Sequence, residues 1–287
     1  MTKKVEIPSQ SLQIPKAITR TAKLLQAISP KLATFFAAKL FTTPVKHKIP
    51  KRELEMEKTS KQSKLFIPQI NKDIVVYQYG ESEKKILLVH GWSGRGTQLF
   101  KIADELLLNK FSTISFDAPA HGKSESKTTL MPEFIASIIE IEKQFGPFEF
   151  AIGHSLGGMS ILNAITQELS LKKAVIIGSG DIIQDIINDF VLKLELKSEI
   201  ASRMKIHFEK KNGIDMERYS ANFAAQSIQI PVFIIHDEND QEIPVKAAYN
   251  IYQNLQKGEI LITEKLGHRK ILGDKKVIEN IINFISN

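Results

Sequence analysis

Ser155 stands at the centre of Gly153-His154-Ser155-Leu156-Gly157. The apolar run Phe150-Ala151-Ile152 leads into this pentapeptide, and Met159-Ser160-Ile161-Leu162-Asn163-Ala164-Ile165, with helical apolar spacing, follows it. The reading is strand, sharp turn and helix, with a hydroxyl at the apex. Such a turn holds a serine in a strained backbone conformation and lifts its Oγ clear of the sheet. Glycines two residues to either side leave room where Cβ atoms would collide with the neighbouring strand and helix. The helix N-terminus lies under the serine, so its free N–H groups face any negative charge that develops there. The chemistry these residues suit is nucleophilic attack on an acyl carbonyl, through a covalent intermediate. The pentapeptide alone arises by accident in about one chain in ten of this length. The weight therefore falls on what surrounds it.

A serine hydroxyl needs a base, and the base needs an acid to orient it. His268 lies in Leu266-Gly267-His268-Arg269-Lys270, just after the last predicted strand, residues 259–262. It is placed to take the Ser155 proton. The loop His236-Asp237-Glu238-Asn239-Asp240-Gln241-Glu242-Ile243-Pro244 follows a predicted central strand at residues 231–235 and is rich in acids, one of which can orient a histidine. Nucleophile, acid and base thus follow one another, each at the carboxyl end of a strand, where they can converge. Acyl transfer also needs two N–H donors for the oxyanion. The continuous apolar run Ile86-Leu87-Leu88-Val89 ends in His90-Gly91-Trp92-Ser93-Gly94-Arg95-Gly96. That loop offers the N–H of Trp92, and the residue after the nucleophile offers the N–H of Leu156. His90 is read as holding loop backbone with its ring. Asp117 and His121 precede Ser155, so they fall outside the required order and are read as loop-structuring residues.

The elements that must position these groups alternate. Strands are expected at residues 52–58, 74–79, 86–89, 112–116, 150–152, 174–177, 231–235 and 259–262. Helices are expected at 97–109, 132–145 and 275–284. The rhythm breaks at residues 181–227. Ile182, Ile183, Ile186, Ile187, Phe190 and Leu194 mark one amphipathic helix there, and Ile200, Met204 and Phe208 mark another. An insertion at this point sits over the carboxyl ends of the strands, where open α/β sheets bind ligands. It is read as a small helical lid bringing an apolar lining to the pocket mouth.

The 287-residue chain carries a net charge of +7, unevenly spread. Residues 1–64 hold 14 Lys/Arg and four Asp/Glu, and the remainder holds 25 and 28. The body is therefore nearly neutral and offers no basic face with base-reading groups, so no nucleic-acid partner is expected. The basicity belongs to an N-terminal arm, residues 1–50. Ile18, Leu25 and Ile28 mark one short helix in it. Leu32, Phe35, Phe36 and Leu40 mark a second, beyond Pro30. The lysines are spread around both helices, so the arm is expected to pack on the body rather than lie on an anionic membrane surface. Met1-Thr2-Lys3-Lys4 begins like a signal peptide, but no uninterrupted apolar core follows, and a cytoplasmic location is expected. The absence of cysteine rules out disulfides and thiolate metal ligands.

The chain resembles the α/β-hydrolase superfamily over roughly residues 50–287. The resemblance is carried by His90-Gly91-Trp92, Asp117-Ala118-Pro119-Ala120-His121-Gly122-Lys123-Ser124, Gly153-His154-Ser155-Leu156-Gly157-Gly158, the loop from His236 to Pro244, and Gly267-His268. It implies an α/β fold with a mostly parallel central sheet, helices on both faces and a domain spanning residues 51–287. The family's acid loop commonly reads H-G-x-x-D-x-x-V-P, which places the acid at Asp240. Asp237 stands where that pattern has glycine and is the alternative. The resemblance implies a serine hydrolase with the triad Ser155, Asp240 and His268, needing no cofactor or metal and acting on a small-molecule carboxylic ester. The same frame serves acyltransferases, thioesterases, carbon–carbon hydrolases and non-catalytic binding proteins.

Overall fold

The computed structural model describes residues 14–287, and the first thirteen, with the Met1-Thr2-Lys3-Lys4 start, lie outside the described residues. Two helices open the described chain, α1 (Lys16–Ile28) and α2 (Pro30–Phe41), with Pro30 in the first turn of α2, where its missing N–H costs nothing. A one-turn 3-10 segment and α3 (Leu54–Thr59) follow. Next come the strands β1 (Lys61–Ile67), β2 (Lys72–Tyr79) and β3 (Lys85–Val89). The chain then alternates through α4 (Phe100–Leu108), β4 (Ser112–Asp117), α5 (Met131–Phe145), β5 (Phe150–His154), α6 (Leu156–Ile165) and β6 (Lys173–Ile177). An insertion holds α7 (Ile183–Lys193), α8 (Glu199–Asn212) and the short α9 (Ala221–Ala225). The last elements are β7 (Val232–Asp237), α10 (Lys246–Asn254), β8 (Gly258–Thr263), α11 (Gly267–Lys270) and α12 (Lys275–Ser286).

The strands form one eight-stranded sheet in the order β1-β2-β4-β3-β5-β6-β7-β8. β1 and β2 pair antiparallel, β2 meets β4 antiparallel, and all remaining pairs are parallel. A parallel strand is covered on both faces, so its side chains feed two cores. Ile86 and Leu88 of β3 join Ile152, Val175 and Ile235 in the core beneath α4 and α12. Leu87 and Val89 join Ala151, Ile176 and Ile234 in the core beneath α5 and α6. This is the α/β-hydrolase layering, and it brings the carboxyl ends of β3, β5, β6, β7 and β8 to one edge.

The expected strand at residues 52–58 is corrected. That segment is a 3-10 turn followed by α3, and the first strand is β1. Its polar–apolar alternation is real, but Leu54, Glu55, Met56, Glu57 and Lys58 all favour helix, and only a single turn need be made. Met56 alone of α3 is buried, beneath the second core.

α1 and α2 lie against α8 and the insertion. Ala22, Ala33, Ala37 and Ala38 are buried there, and the Phe41 ring meets those of Phe190 and Phe208 at 5.2 and 5.8 Å. No helix among the described residues is long and apolar enough to cross a membrane.

Candidate active site

β5 delivers Ser155 into a backbone conformation that side chains rarely adopt, φ 53° and ψ −119°. Such strain costs about 1–3 kcal/mol and persists only where the surroundings enforce it. Three contacts do so. The Ser155 N–H donates to the Ile177 carbonyl of β6 at 2.9 Å. A Cβ on Gly153 would lie 2.6 Å from the backbone of Gly157. A Cβ on Gly157 would strike the carbonyls of Val89 and His90 at the end of β3. Helix, strand and serine are thus packed so closely that only glycine fits at both positions. No hydrogen bond of the Ser155 Oγ is found among the described residues.

His268 is the second residue of α11, just past β8, and is 6% exposed. Its Nδ1–H donates to Oδ2 of Asp240 at 2.6 Å. The other Asp240 oxygen accepts the N–H groups of Glu242 and Ile243 at 2.8 and 3.0 Å. Burial pushes the Asp240 carboxyl up, but the His268 bond and charge, with the two N–H donors, outweigh it, and its pKa falls below the usual carboxylate value. Asp240 is therefore held as the carboxylate, a hydrogen-bond acceptor for the imidazole.

Asp237 does other work. Its Oδ1 accepts the Asn239 N–H at 3.0 Å, and its Oδ2 accepts the Thr263 hydroxyl at 2.8 Å and the Leu266 N–H at 3.0 Å. It ties the β7 loop to the β8 loop, and so sets the distance between Asp240 and His268.

Ser155, Leu156, Trp92 and His268 open on one cavity of about 410 Å³. Among the described residues, neither the Trp92 N–H nor the Leu156 N–H has an acceptor. Their neighbour in the loop does, for the Ser93 N–H donates to Nε2 of His121 at 3.0 Å. His121 in turn donates its Nδ1–H to the Pro119 carbonyl at 3.0 Å. His90 is built the same way, with the Ala118 N–H donating to Nε2 at 3.0 Å and Nδ1–H donating to Gly91 at 2.7 Å. Each ring therefore carries its single hydrogen on Nδ1. Burial first, helped at His121 by the charge of His90, pushes His90 down to about 4 and His121 down to about 3. Both are neutral braces. Asp117 accepts from the N–H groups of Gly96 and Lys123, both at 2.7 Å, and from the Tyr77 hydroxyl at 2.9 Å, so it too is a brace.

Three residues escape sequence reasoning. His154 donates Nε2–H to the His268 carbonyl at 2.9 Å, fixing the backbone that carries the imidazole. Burial, with the nearby His268 charge, holds the pKa of His154 well below the ordinary value. His236 donates Nε2–H to the Ile243 carbonyl at 2.9 Å and closes the loop around Asp240. Gly178 has φ +57°, and a Cβ there would sit 3.2 Å from His268 Nδ1. The one sequence signal was a glycine ending an apolar strand. Both histidines lie inside the quoted motifs, but nothing in the sequence shows which carbonyl either ring would hold.

The sequence model described as "Alpha/beta hydrolase family" matches residues 86–221. No curated protein matches the sequence. Solved structures with the same fold include an esterase, EaEST, from Exiguobacterium antarcticum (16% identity, TM-score 0.63, covering 79% of this chain and 100% of that one). The Pyrococcus furiosus esterase Pf2001 is similar at 18% identity and TM-score 0.63, over 85% of this chain and 97% of that one. A bacterial membrane phospholipase A matches at 14% identity and TM-score 0.62, over 95% of this chain and all of that one. Residues 86–221 match this family's model, and the chain has the α/β-hydrolase fold.

Proposed function

We propose that this protein is a serine hydrolase that cleaves carboxylic esters through Ser155, His268 and Asp240. One observation carries the reading. A buried imidazole donates to a carboxylate at 2.6 Å and shares a cavity with a serine held at positive φ at a strand–helix turn. In the reaction, Oγ of Ser155 attacks the ester carbonyl while Nε2 of His268 takes its proton. Asp240 holds the imidazole in the required tautomer and stabilises the imidazolium. The N–H groups of Trp92 and Leu156 bind the oxyanion, each worth about 3 kcal/mol of transition-state stabilisation. His268 then gives the proton to the leaving alcohol. Water, activated by the same imidazole, releases the acid from the acyl-enzyme. The residues 181–227 act as the lid, and a cytoplasmic location completes the reading.

The apolar lining supports an ester with an apolar acyl or alcohol group, and the esterases among the structures of like fold are consistent with it. Hydrolysis of p-nitrophenyl butyrate by wild type and Ser155→Ala tests the reaction. Turnover by the wild type and its loss by about 10⁵–10⁶-fold in the variant is expected. Equal rates would place the reaction elsewhere. A folded but inert wild type would bring the binding-protein alternative forward.

A further inference from the structure

We infer that the N-terminal helical pair is one wall of the substrate pocket, and that the ester taken here carries an extended hydrocarbon chain laid against that wall. The inference rests on the hydrolase reading above and adds the substrate class to it.

The cavity that opens on Ser155 and His268 runs between two segments distant in sequence. Ile14, Ile18 and Phe41 line it from the arm, and Ile186, Phe190 and Leu194 line it from the insertion. Its charged side chains are already engaged. Asp189 pairs with Lys193 at 2.6 Å, and Glu242 pairs with Arg269 at 3.1 Å. A polar or charged tail would find no free charged partner at this end among the described residues, whereas methylenes would find aliphatic and aromatic side chains.

The wall is fixed rather than merely adjacent. Phe41 stacks edge-on to Phe190, Lys23 pairs with Glu195, and the Lys197 N–H donates to the Gln26 side chain at 2.7 Å. At its other end the arm reaches the catalytic loops. The Val45 N–H donates to the Ser93 hydroxyl at 3.0 Å, one residue from Trp92, and the Thr129 N–H donates to the Thr42 carbonyl at 2.9 Å. The arm thus joins pocket wall to oxyanion loop, and substrate length is read by a segment outside the sheet-and-helix core.

The hydrocarbon can belong to the acyl or to the alcohol side of the ester. The test on the full chain separates the two. One series is p-nitrophenyl esters from acetate to palmitate, and the other is alkyl acetates of matching length. In the wild type, kcat/KM is expected to climb about fourfold per methylene over several carbons in one series. Ile18→Trp narrows the cavity at the arm and should lower the long-to-short ratio in that series by about tenfold or more. Dodecanoate binding to Ser155→Ala, measured by calorimetry, needs no turnover and should weaken about tenfold when Ile18→Trp is added. Ile14→Trp probes the same wall, should Ile18→Trp fail to fold. Folded tryptophan variants that shift neither the ratio nor the dodecanoate affinity would overturn the inference. No turnover of any ester, with dodecanoate binding that tryptophan weakens, would sink the hydrolase reading and leave the hydrocarbon wall standing.

Discussion

A serine hydroxyl is a weak nucleophile until a base takes its proton, and His268 is useful only in the tautomer that leaves Nε2 bare. The 2.6 Å bond to Asp240 selects that tautomer. Asp240→Asn is expected to lower kcat by about 10⁴ by stabilising the wrong one. Asp237→Asn breaks the ties to Thr263 and Leu266 instead. It should cost about 1–3 kcal/mol of stability and leave kcat within about tenfold. Urea melts and ester kinetics on the two variants decide between them, and the reverse pattern would make Asp237 the acid. The choice was only half legible in the sequence. The order of candidate nucleophile, acid and base could be read directly, but four acids crowd the loop between His236 and Pro244, and the family pattern was needed to separate them. The bonds that divide orientation from loop closure are three-dimensional facts.

His90 tests the electrostatics of the brace. Its folded pKa of about 4 lies below its unfolded value near 6.5. The unfolded chain therefore binds a proton first as pH falls. The stability that neutral His90 contributes is complete above pH 6.5 and is lost down to about pH 4. His90→Gln lacks this loss. The stability gap between wild type and variant, read by urea unfolding, should narrow by about 2 kcal/mol between pH 7 and pH 5. An unchanged gap would mean that the ring is charged in the folded protein or solvated.

At the scale of elements, the glycines at 153 and 157 carried the most information, because close packing of β3, β5 and α6 leaves no space for a Cβ. Gly157→Ala is expected to cost about 1–3 kcal/mol by overpacking against the Val89 and His90 carbonyls. Gly178→Ala should instead press on His268 and strain its own positive φ. A fall in kcat of about tenfold or more with the melting temperature little changed would mark it as a positioning residue. The central strands were legible because burial on both faces makes them continuous apolar runs. The segment at residues 52–58 misled because short alternation is equally compatible with one helical turn, and residues 61–67, polar over Lys61-Gln62-Ser63-Lys64, hide an edge strand. Edge strands face water, so their hydrophobic signal is weak.

For the whole molecule, the distribution of charge and apolar surface separates body from arm. Residues 1–64 carry +10 against −3 for the rest. Yet the arm's contacts with the insertion are chiefly apolar, and exposed ion pairs such as Lys23–Glu195 contribute at most about 1 kcal/mol. A chain beginning at residue 51 should therefore expose the Phe190 and Phe208 faces. Raised binding of a hydrophobic dye and a lower melting temperature are expected, whatever the salt concentration. Loss of stability that salt abolishes would mean the arm is held by charge. The arm's amphipathic helices were legible in sequence, but its place beside Ser155 was not, because nothing local to residues 14–50 encodes a cavity shared with residues 183–194.

An activated Ser155 is tested by intact-mass analysis after exposure to a fluorophosphonate, with the modified peptide sequenced. One adduct is expected, on Ser155, absent from Ser155→Ala and formed at least about a thousandfold more slowly by His268→Ala. A folded wild type that takes no adduct, or an adduct on another residue that survives Ser155→Ala, would contradict it.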